Sequence, residues 1–314
     1  MTIPLAPLAY MHIITSMNPP FAYAGEALSL LCAIVWALAV ILFRKSGEKV
    51  HPLALNTFKN LVATLLFLVT MWVFGETLLR QVPVNTYLLL LLSGALGIGI
   101  GDTLLFMSLN RIGAGLTGIV VCMYSPFVII LSFWLLGERL TVLQFIGVVL
   151  IILAIVIATV EKRKSVVTPM NIARGAVIGV IASAAMAIGV IIIKPILETA
   201  PLLWTTQIRL FGGILVLSLI LLLNPRRRSI YSSLVNTRKW SYTISGSIVG
   251  AYLAMVIWLG GLKDALAAVA SALNQTSTIF IFIFADIILK ESQNARKVVG
   301  IILAFCGTLL VSLG

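Results

Sequence analysis

The chain has 314 residues, 61% of them hydrophobic and only 10% charged, where a soluble domain carries roughly a quarter charged residues. That excludes a water-soluble enzyme or binding module. The formal net charge of +12 does not argue for nucleic acid, because the basic residues sit in short loops between apolar runs, as topology-setting charge beside anionic lipid does.

Residues 1–25 read as an N-terminal extension. Pro4, Pro7, Pro19 and Pro20 break any span there, and no Lys or Arg supplies the basic start of a signal peptide. Ten apolar runs of about 20 residues follow, each long enough to cross a bilayer as a helix. They are Glu26–Phe43, Leu53–Phe74, Tyr87–Leu109, Leu116–Leu136 and Val142–Val160, then Ala173–Ile193, Leu202–Leu223, Trp240–Leu262, Ala267–Leu289 and Lys297–Leu313. A membrane barrel would show short alternating segments instead. The fold class is therefore all-α integral membrane, with ten transmembrane helices. Residues 161–171, with Lys162, Arg163 and Lys164, form a basic linker between a first unit at 26–160 and a second at 172–314.

The two units match in order. His51-Pro52-Leu53 opens the second span as Ala200-Pro201-Leu202 opens the seventh, and Gly97 answers Gly250. Glu138 and Glu291 follow the fourth and ninth spans, each with a Gly nine residues on, Gly147 and Gly300. An odd number of spans per unit makes the second unit inverted relative to the first, and inverted five-helix repeats with a midplane site are a transporter signature. Of 22 Lys and Arg, Lys59 and Arg209 lie within spans, and Arg80, Arg139, Lys194 and Lys263 lie on one side. The other 16 lie on the side of loops 1–2, 3–4, 5–6, 7–8 and 9–10. The positive-inside rule makes that side cytoplasmic and puts both termini outside.

Polar groups inside the spans are few enough to take singly. Trp36 sits mid-span, away from the interfacial belt, where its ring either walls a pocket or simply packs. Lys59 and Arg209 each enter a span two turns after the matching prolines, towards opposite faces by the inversion. They either attract an anionic group or snorkel and pair. Asp102 is the one acid well inside a span, a candidate for proton coupling unless Arg111 or another embedded base pairs with it. Tyr124-Ser125-Pro126 interrupts the fourth span, since Pro126 frees a carbonyl near Cys122. Asn274, Gln275, Thr276, Ser277 and Thr278 form a polar block in the ninth, at the same depth. Tyr252 and Trp258 are weaker pocket candidates, and Asp286 and Lys290 read as a helix-end ion pair. Gly94, Gly97, Gly99 and Gly101 in the third span favour close packing, with a hinge as the sharper alternative. Cys32, Cys122 and Cys306 have no ligand spacing and read as small apolar side chains. No nucleotide loop, HExxH or nucleophile–base pair is present.

These residues resemble a known family. Trp36, the run Gly101-Asp102-Thr103-Leu104-Leu105-Phe106, Tyr124-Ser125-Pro126, and the turn Gly137-Glu138-Arg139-Leu140-Thr141 with Gln144 and Gly147 are similar to the EamA-like branch of the drug/metabolite transporter superfamily. The second unit keeps Lys290-Glu291 and Gly300 but no counterpart of Pro126. The resemblance implies a secondary carrier, exporting more often than importing, for small metabolites such as amino acids, with a cavity between the halves. It also implies that the motif glycines, Pro126 and Glu138 are structural. Many relatives keep both termini in the cytoplasm, the reverse of the charge pattern here.

The sequence thus predicts a small-metabolite exporter of the inner (plasma) membrane, working by alternating access, with no enzymatic activity, cofactor, metal or nucleic-acid partner. The bilayer and a small-molecule substrate are its partners, and homo-oligomerisation is left open. Trp36, Tyr124, Ser125, Tyr252, Asn274, Gln275 and Ser277 are expected to line the substrate site, with Asp102, Lys59 and Arg209 serving coupling or charge attraction. The alternatives are a non-transporting scaffold or sensor and an intramembrane lipid-modifying enzyme.

Overall fold

The computed structural model describes residues 24–136, 141–159, 169–264, 273–291 and 295–313. The N-terminal extension, the turn carrying Glu138, most of the basic linker and the start of the ninth span lie outside the described residues. Among those described, all regular structure is helical. In chain order the helices are α1 (Ala24–Gly47), α2 (Pro52–Val73), α3 (Val84–Gly94), α4 (Asp102–Val121), α5 (Tyr124–Leu136), α6 (Val142–Thr159) and α7 (Pro169–Thr199). They continue with α8 (Leu202–Leu223), α9 (Arg227–Val235), α10 (Trp240–Gly246), α11 (Ala254–Asp264), α12 (Ser277–Ile287) and α13 (Ala295–Leu313).

Among the described residues, six helical stretches are long and apolar enough to cross a membrane: Ala24–Gly47, Pro52–Val73, Val84–Val121, Pro169–Leu197, Leu202–Leu223 and Trp240–Gly261. Shorter apolar helices run over Tyr124–Leu135, Phe145–Ala158 and Leu273–Ile287. Large apolar side chains such as Trp72, Trp134 and Leu223 point outward, as a lipid-facing surface requires.

Local chemistry sets the helix starts. His51 caps α2, its Nδ1 accepting from the Leu53 N–H at 3.2 Å, and Pro52 occupies the first turn, where a missing N–H costs nothing. Pro201 stands one position further out, as the N-cap residue of α8, and makes no side-chain cap there. Two of the described spans contain a π-helical segment. Ala95–Gly101 joins α3 to α4 as a π-helical turn, and Ser247–Leu253 joins α10 to α11 as another. Each is seven residues long and holds the glycine, Gly97 or Gly250, matched between the units in the sequence. A π turn misaligns carbonyls from their usual donors. Asn56 on α2 supplies one, its Nδ2 donating to the Ile98 and Gly99 carbonyls at 2.8 and 3.1 Å.

The third and fourth spans divide differently from the apolar runs. The helix continues through Val121, kinked at Gly113, whose φ of 80° suits glycine. Glu291, in the turn after α12, reaches back to this kink. Its carboxylate accepts from the Ala114 N–H at 2.9 Å and the Gly115 N–H at 3.2 Å, and Arg44 Nε lies 3.6 Å away. This is a helix N-cap supplied from the other half of the chain. The Asp286–Lys290 ion pair expected from sequence is not among the ion pairs of the described residues. Lys290 instead takes a φ of 54°, which turns the chain so that Glu291 can reach Ala114. Glu291→Ala is expected to cost about 1–2 kcal/mol, the usual penalty for a lost cap, read as a lower melting temperature of the purified protein. An unchanged melting temperature would mean that water replaces the carboxylate.

Tight antiparallel contacts hold the bundle together. α1 lies along α10–α11, with Gly250 on Ala39 and Phe43 at one end and Gly261 on Ser29 at the other. α7 lies along α3–α4 in the same sense, Gly189 against Ser93 and Gly97, and Gly175 against Ile112. α6 and α13 meet where Gly307 faces the Gly147 carbonyl and Gly300 faces Ala158. The short helix α9, unforeseen in the sequence reading, buries Ile230 and Leu234. It keeps Arg227 and Arg228 exposed, the division of an interfacial helix.

Candidate functional site

Both polar segments singled out in the sequence fall at interruptions. α4 ends at Val121 and α5 starts at Tyr124. Pro126 donates no hydrogen bond, and the local bonds there run Ser125 N–H to Cys122 O and Phe127 N–H to Met123 O. Opposite, residues 273–275 end in a turn at Thr276 before α12 resumes at Ser277. The two breaks touch. Gln275 Nε2 donates to Ser125 Oγ at 3.0 Å, Thr278 Oγ1 lies 3.4 Å from Cys122 Sγ, and Thr278 Oγ1 donates to the Gly118 carbonyl at 3.5 Å.

Beside this contact lies a narrow cleft lined by Trp36, Phe43 and Phe106, with Thr117, Gln275 and Ser277 supplying its polar groups. Of the residues expected at the site, Trp36, Gln275 and Ser277 border the cleft directly, and Ser125 joins it through Gln275. Asn274 is half-buried and its Oδ1 has no hydrogen-bond partner. Tyr252 is not brought to the cleft. Its hydroxyl shares a 2.6 Å hydrogen bond with Thr70, and its ring stacks edge-on against Phe67.

A second polar cluster sits behind Phe106. Lys59 Nζ donates to Asp102 Oδ2 at 2.7 Å and to Asn60 Oδ1 at 3.1 Å, and lies 5.9 Å over the Phe106 ring. Arg111, the partner considered in the sequence, donates to its own Met107 carbonyl instead. Arg209 Nε donates to Ser93 Oγ at 3.0 Å, and Ser93 in turn donates to the Gly189 carbonyl, so one hydroxyl ties α3, α7 and α8 together. Neither base snorkels, for Lys59 is 5% exposed and Arg209 6%. Asp102, paired with Lys59, is also within charge range of Arg209, as is Tyr124. The chain folds this way because the π turn shifts Asp102 around the helix and Asn56 anchors that turn on the helix that carries Lys59.

Asn56, Asn60, Ser93 and Gln207 were missed in the sequence. The first two had a signal, since Asn56, Lys59 and Asn60 recur at helical spacing within an apolar span. Ser93 and Gln207 had none. Gln207 is fully buried with neither amide atom partnered.

The loops sort by side. His51 N–H donates to Ser233 Oγ, Lys239 pairs with Glu48, and Glu291 caps Ala114, so loops 1–2, 3–4, 7–8 and 9–10 meet on one face. Burial raises the Glu48 carboxyl, but the hydrogen bond and charge of Lys239, with Lys45 and Arg44, bring it net below the ordinary carboxylate value. Trp204 Nε1 donates to the Leu78 carbonyl, joining loop 2–3 to the start of α8.

Interrupted helices that meet beside a mainly apolar cleft with a few polar groups, in a multi-pass helical membrane protein, are an arrangement that membrane transporters use. The profile of the EamA-like transporter family matches residues 23–160 and again 173–313, and the chain belongs to that family. It is 25% identical over 291 residues to a protein of Archaeoglobus fulgidus named "Uncharacterized transporter", covering 91% of this chain and 97% of that one. It is 27% identical over 232 residues to Protein PecM of Dickeya dadantii, covering 73% and 75%. A solved crystal structure superposes with a TM-score of 0.65 over 93% of this chain and 96% of its own, at 16% identity, a likeness of fold.

Proposed function

We propose that this transporter is a secondary carrier that exports small organic metabolites, amino acids or close relatives among them, across a plasma membrane by alternating access. The reading takes ten spans in two inverted five-helix units, and the reciprocal packing of α1 on α10–α11 and of α7 on α3–α4 supports it. The cytoplasmic face is the one that carries the basic loops, with both termini outside. The observation that carries the proposal is the Gln275–Ser125 hydrogen bond, which joins the two interrupted helices at the edge of the cleft. Opening to either side has to move these helices apart, and a solute with polar groups can replace the bond that they exchange. Pairing of Asp102 with Lys59 favours facilitated exchange over proton coupling.

Counterflow in proteoliposomes, with a labelled panel of amino acids and small metabolites, tests this. Wild type is expected to exchange at least one solute with little dependence on a pH gradient. Gln275→Leu is expected to lower exchange about tenfold, the effect of losing one hydrogen bond of about 1–1.5 kcal/mol to the solute, with the protein still folded and melting only a few degrees lower. A folded wild type that exchanges nothing across the panel refutes the carrier reading and favours a scaffold.

A further inference from the structure

Among the described residues, those that line the cleft come from three stretches: α1 with Trp36 and Phe43, α4 with Phe106 and Thr117, and the ninth span with Gln275 and Ile281. The same three meet again at one end, on the face of the basic loops. Glu291, in the turn after α12, places one carboxylate oxygen 2.9 Å from Ala114 N and the other 3.2 Å from Gly115 N, and Arg44 Nε lies 3.6 Å from the first. Arg44 Nη1 also donates to the Asn110 carbonyl at 3.4 Å. The other polar contacts described on this face join different helices. Ser46 with Thr243 and Glu48 with Lys239 tie the end of α1 to α10, which lines no part of the cleft, and His51 with Ser233 ties α2 to α9. Phe43, the residue before Arg44, stacks on Phe106 with ring centroids 4.9 Å apart, so seating Arg44 also holds these two walls together.

This contact is suited to letting go. The Arg44 and Glu291 side chains are 24% and 20% exposed, so water can take over both charges when they part. The Lys59–Asp102 pair, 6% and 15% exposed, has no such replacement at hand. Left-handed backbone stands on both sides of the contact, at Gly113 with φ 80° and at Lys290 with φ 54°. That conformation is unfavourable for a lysine, so seating the carboxylate holds strain that its release relieves.

We propose that Glu291 is the catch of the cleft on the basic-loop face. Seated on the Ala114 and Gly115 N–H groups, it holds α1, α4 and the ninth span together, and its release lets the ninth span move off α4 and opens the cleft. Deeper in the cleft the ninth span rests on α4 through Thr278, whose Oγ1 lies 3.5 Å from the Gly118 carbonyl and 3.4 Å from Cys122 Sγ. Parting them uncovers Cys122, which is 1% exposed with the catch closed. The claim that this opening serves transport rests on the carrier reading above, while the claim that Glu291 controls it does not.

The native cysteines report the opening. The purified full chain in nanodiscs is treated with N-ethylmaleimide, and the labelling rate at each cysteine is read by peptide mass spectrometry. Cys122 is the reporter. Cys32 is the control, since it is equally buried but sits on the Ala254 carbonyl of α11, outside the cleft lining. Glu291→Ala is expected to raise labelling of Cys122 about tenfold, equal to about 1.4 kcal/mol and within the range for a lost cap, and to leave Cys32 unchanged. Arg44→Gln keeps the two N–H bonds of Glu291 and is expected to raise it about threefold; this variant decides alone if Glu291→Ala does not fold. A cap that only stabilises the fold would, when lost, expose both cysteines together, because the loosening is then global. That result overturns the proposal, as does labelling of Cys122 that neither variant changes. Counterflow separates the two claims. Exposure of Cys122 that follows Glu291 in a protein exchanging no solute keeps the catch and overturns the carrier. Exchange by wild type, with Cys122 indifferent to Glu291, keeps the carrier and overturns the catch.

Discussion

Gly212→Leu is expected to abolish the folded protein, and Gly94→Val to do the same. α8 crosses the end of α3 and the π turn with backbone against backbone. A Cβ at Gly212 would lie 2.1 Å from the Leu91 carbonyl oxygen, and a Cβ at Gly94 would lie 1.8 Å from that of Arg209. Neither neighbour is a flexible side chain that can swing away, so the helices have to separate. Overpacking a core by side chains costs about 1–3 kcal/mol, and separating two helix backbones costs more. Separation also pulls Arg209 from Ser93 and disturbs the π turn that positions Asp102. Gly260→Ala is the control, since its Cβ would meet only the tip of Leu28 at 3.4 Å. Size-exclusion profiles and melting curves of the three variants decide the matter. A Gly212→Leu protein that elutes and melts like the Gly260→Ala control would show that this contact is not close.

Asp102→Asn is expected to destabilise the protein more than Lys59→Met, although both break the same ion pair. Removing the acid strands two buried bases, Lys59 and Arg209. Removing Lys59 leaves Asp102 with Arg209 still in charge range. Breaking a buried pair from one side costs about 3–5 kcal/mol, and Asp102→Asn should incur that in full. Lys59→Met should cost about 1–3 kcal/mol, the range for an unmade buried hydrogen bond. The double variant Lys59→Met/Asp102→Leu removes one charge of each sign, so the net charge of the interior is unchanged. It should recover most of the loss, to within about 1–2 kcal/mol of wild type, because apolar replacement of a buried pair is often close to neutral. Thermal unfolding of all three in the same detergent closes the cycle. Equal losses for the two single variants would show that Arg209 does not feel Asp102.

These expectations rest on contacts of different legibility. Apolar runs separated by basic loops made the chain a multi-pass helical membrane protein from composition alone, because a bilayer accepts little else. Repeated landmarks such as Pro52 with Pro201 and Gly97 with Gly250 were visible as residue types at fixed order. Interruption near Pro126 was legible too, since proline lacks the donor that a helix needs there. The π turns were not, because any apolar stretch with glycines can be α-helical, and what sustains the turn at Ala95–Gly101 is Asn56, some forty residues away in sequence.

The same division holds for the candidate site. Sequence by itself singled out part of the polar set that had to be accounted for within the membrane, because each such residue is costly there without a partner. It identified Ser125, Gln275, Lys59, Asp102 and Arg209 on that ground. Only tertiary structure decided the partners: Gln275 with Ser125, Lys59 rather than Arg111 with Asp102, Tyr252 with Thr70, and Glu291 with the N–H groups of Ala114 and Gly115. Residue type sets the cost of burying a polar group, which is local. Its partner depends on which helices cross and at what height, and that is settled by close contacts such as Gly94 and Gly212 between segments far apart in the chain.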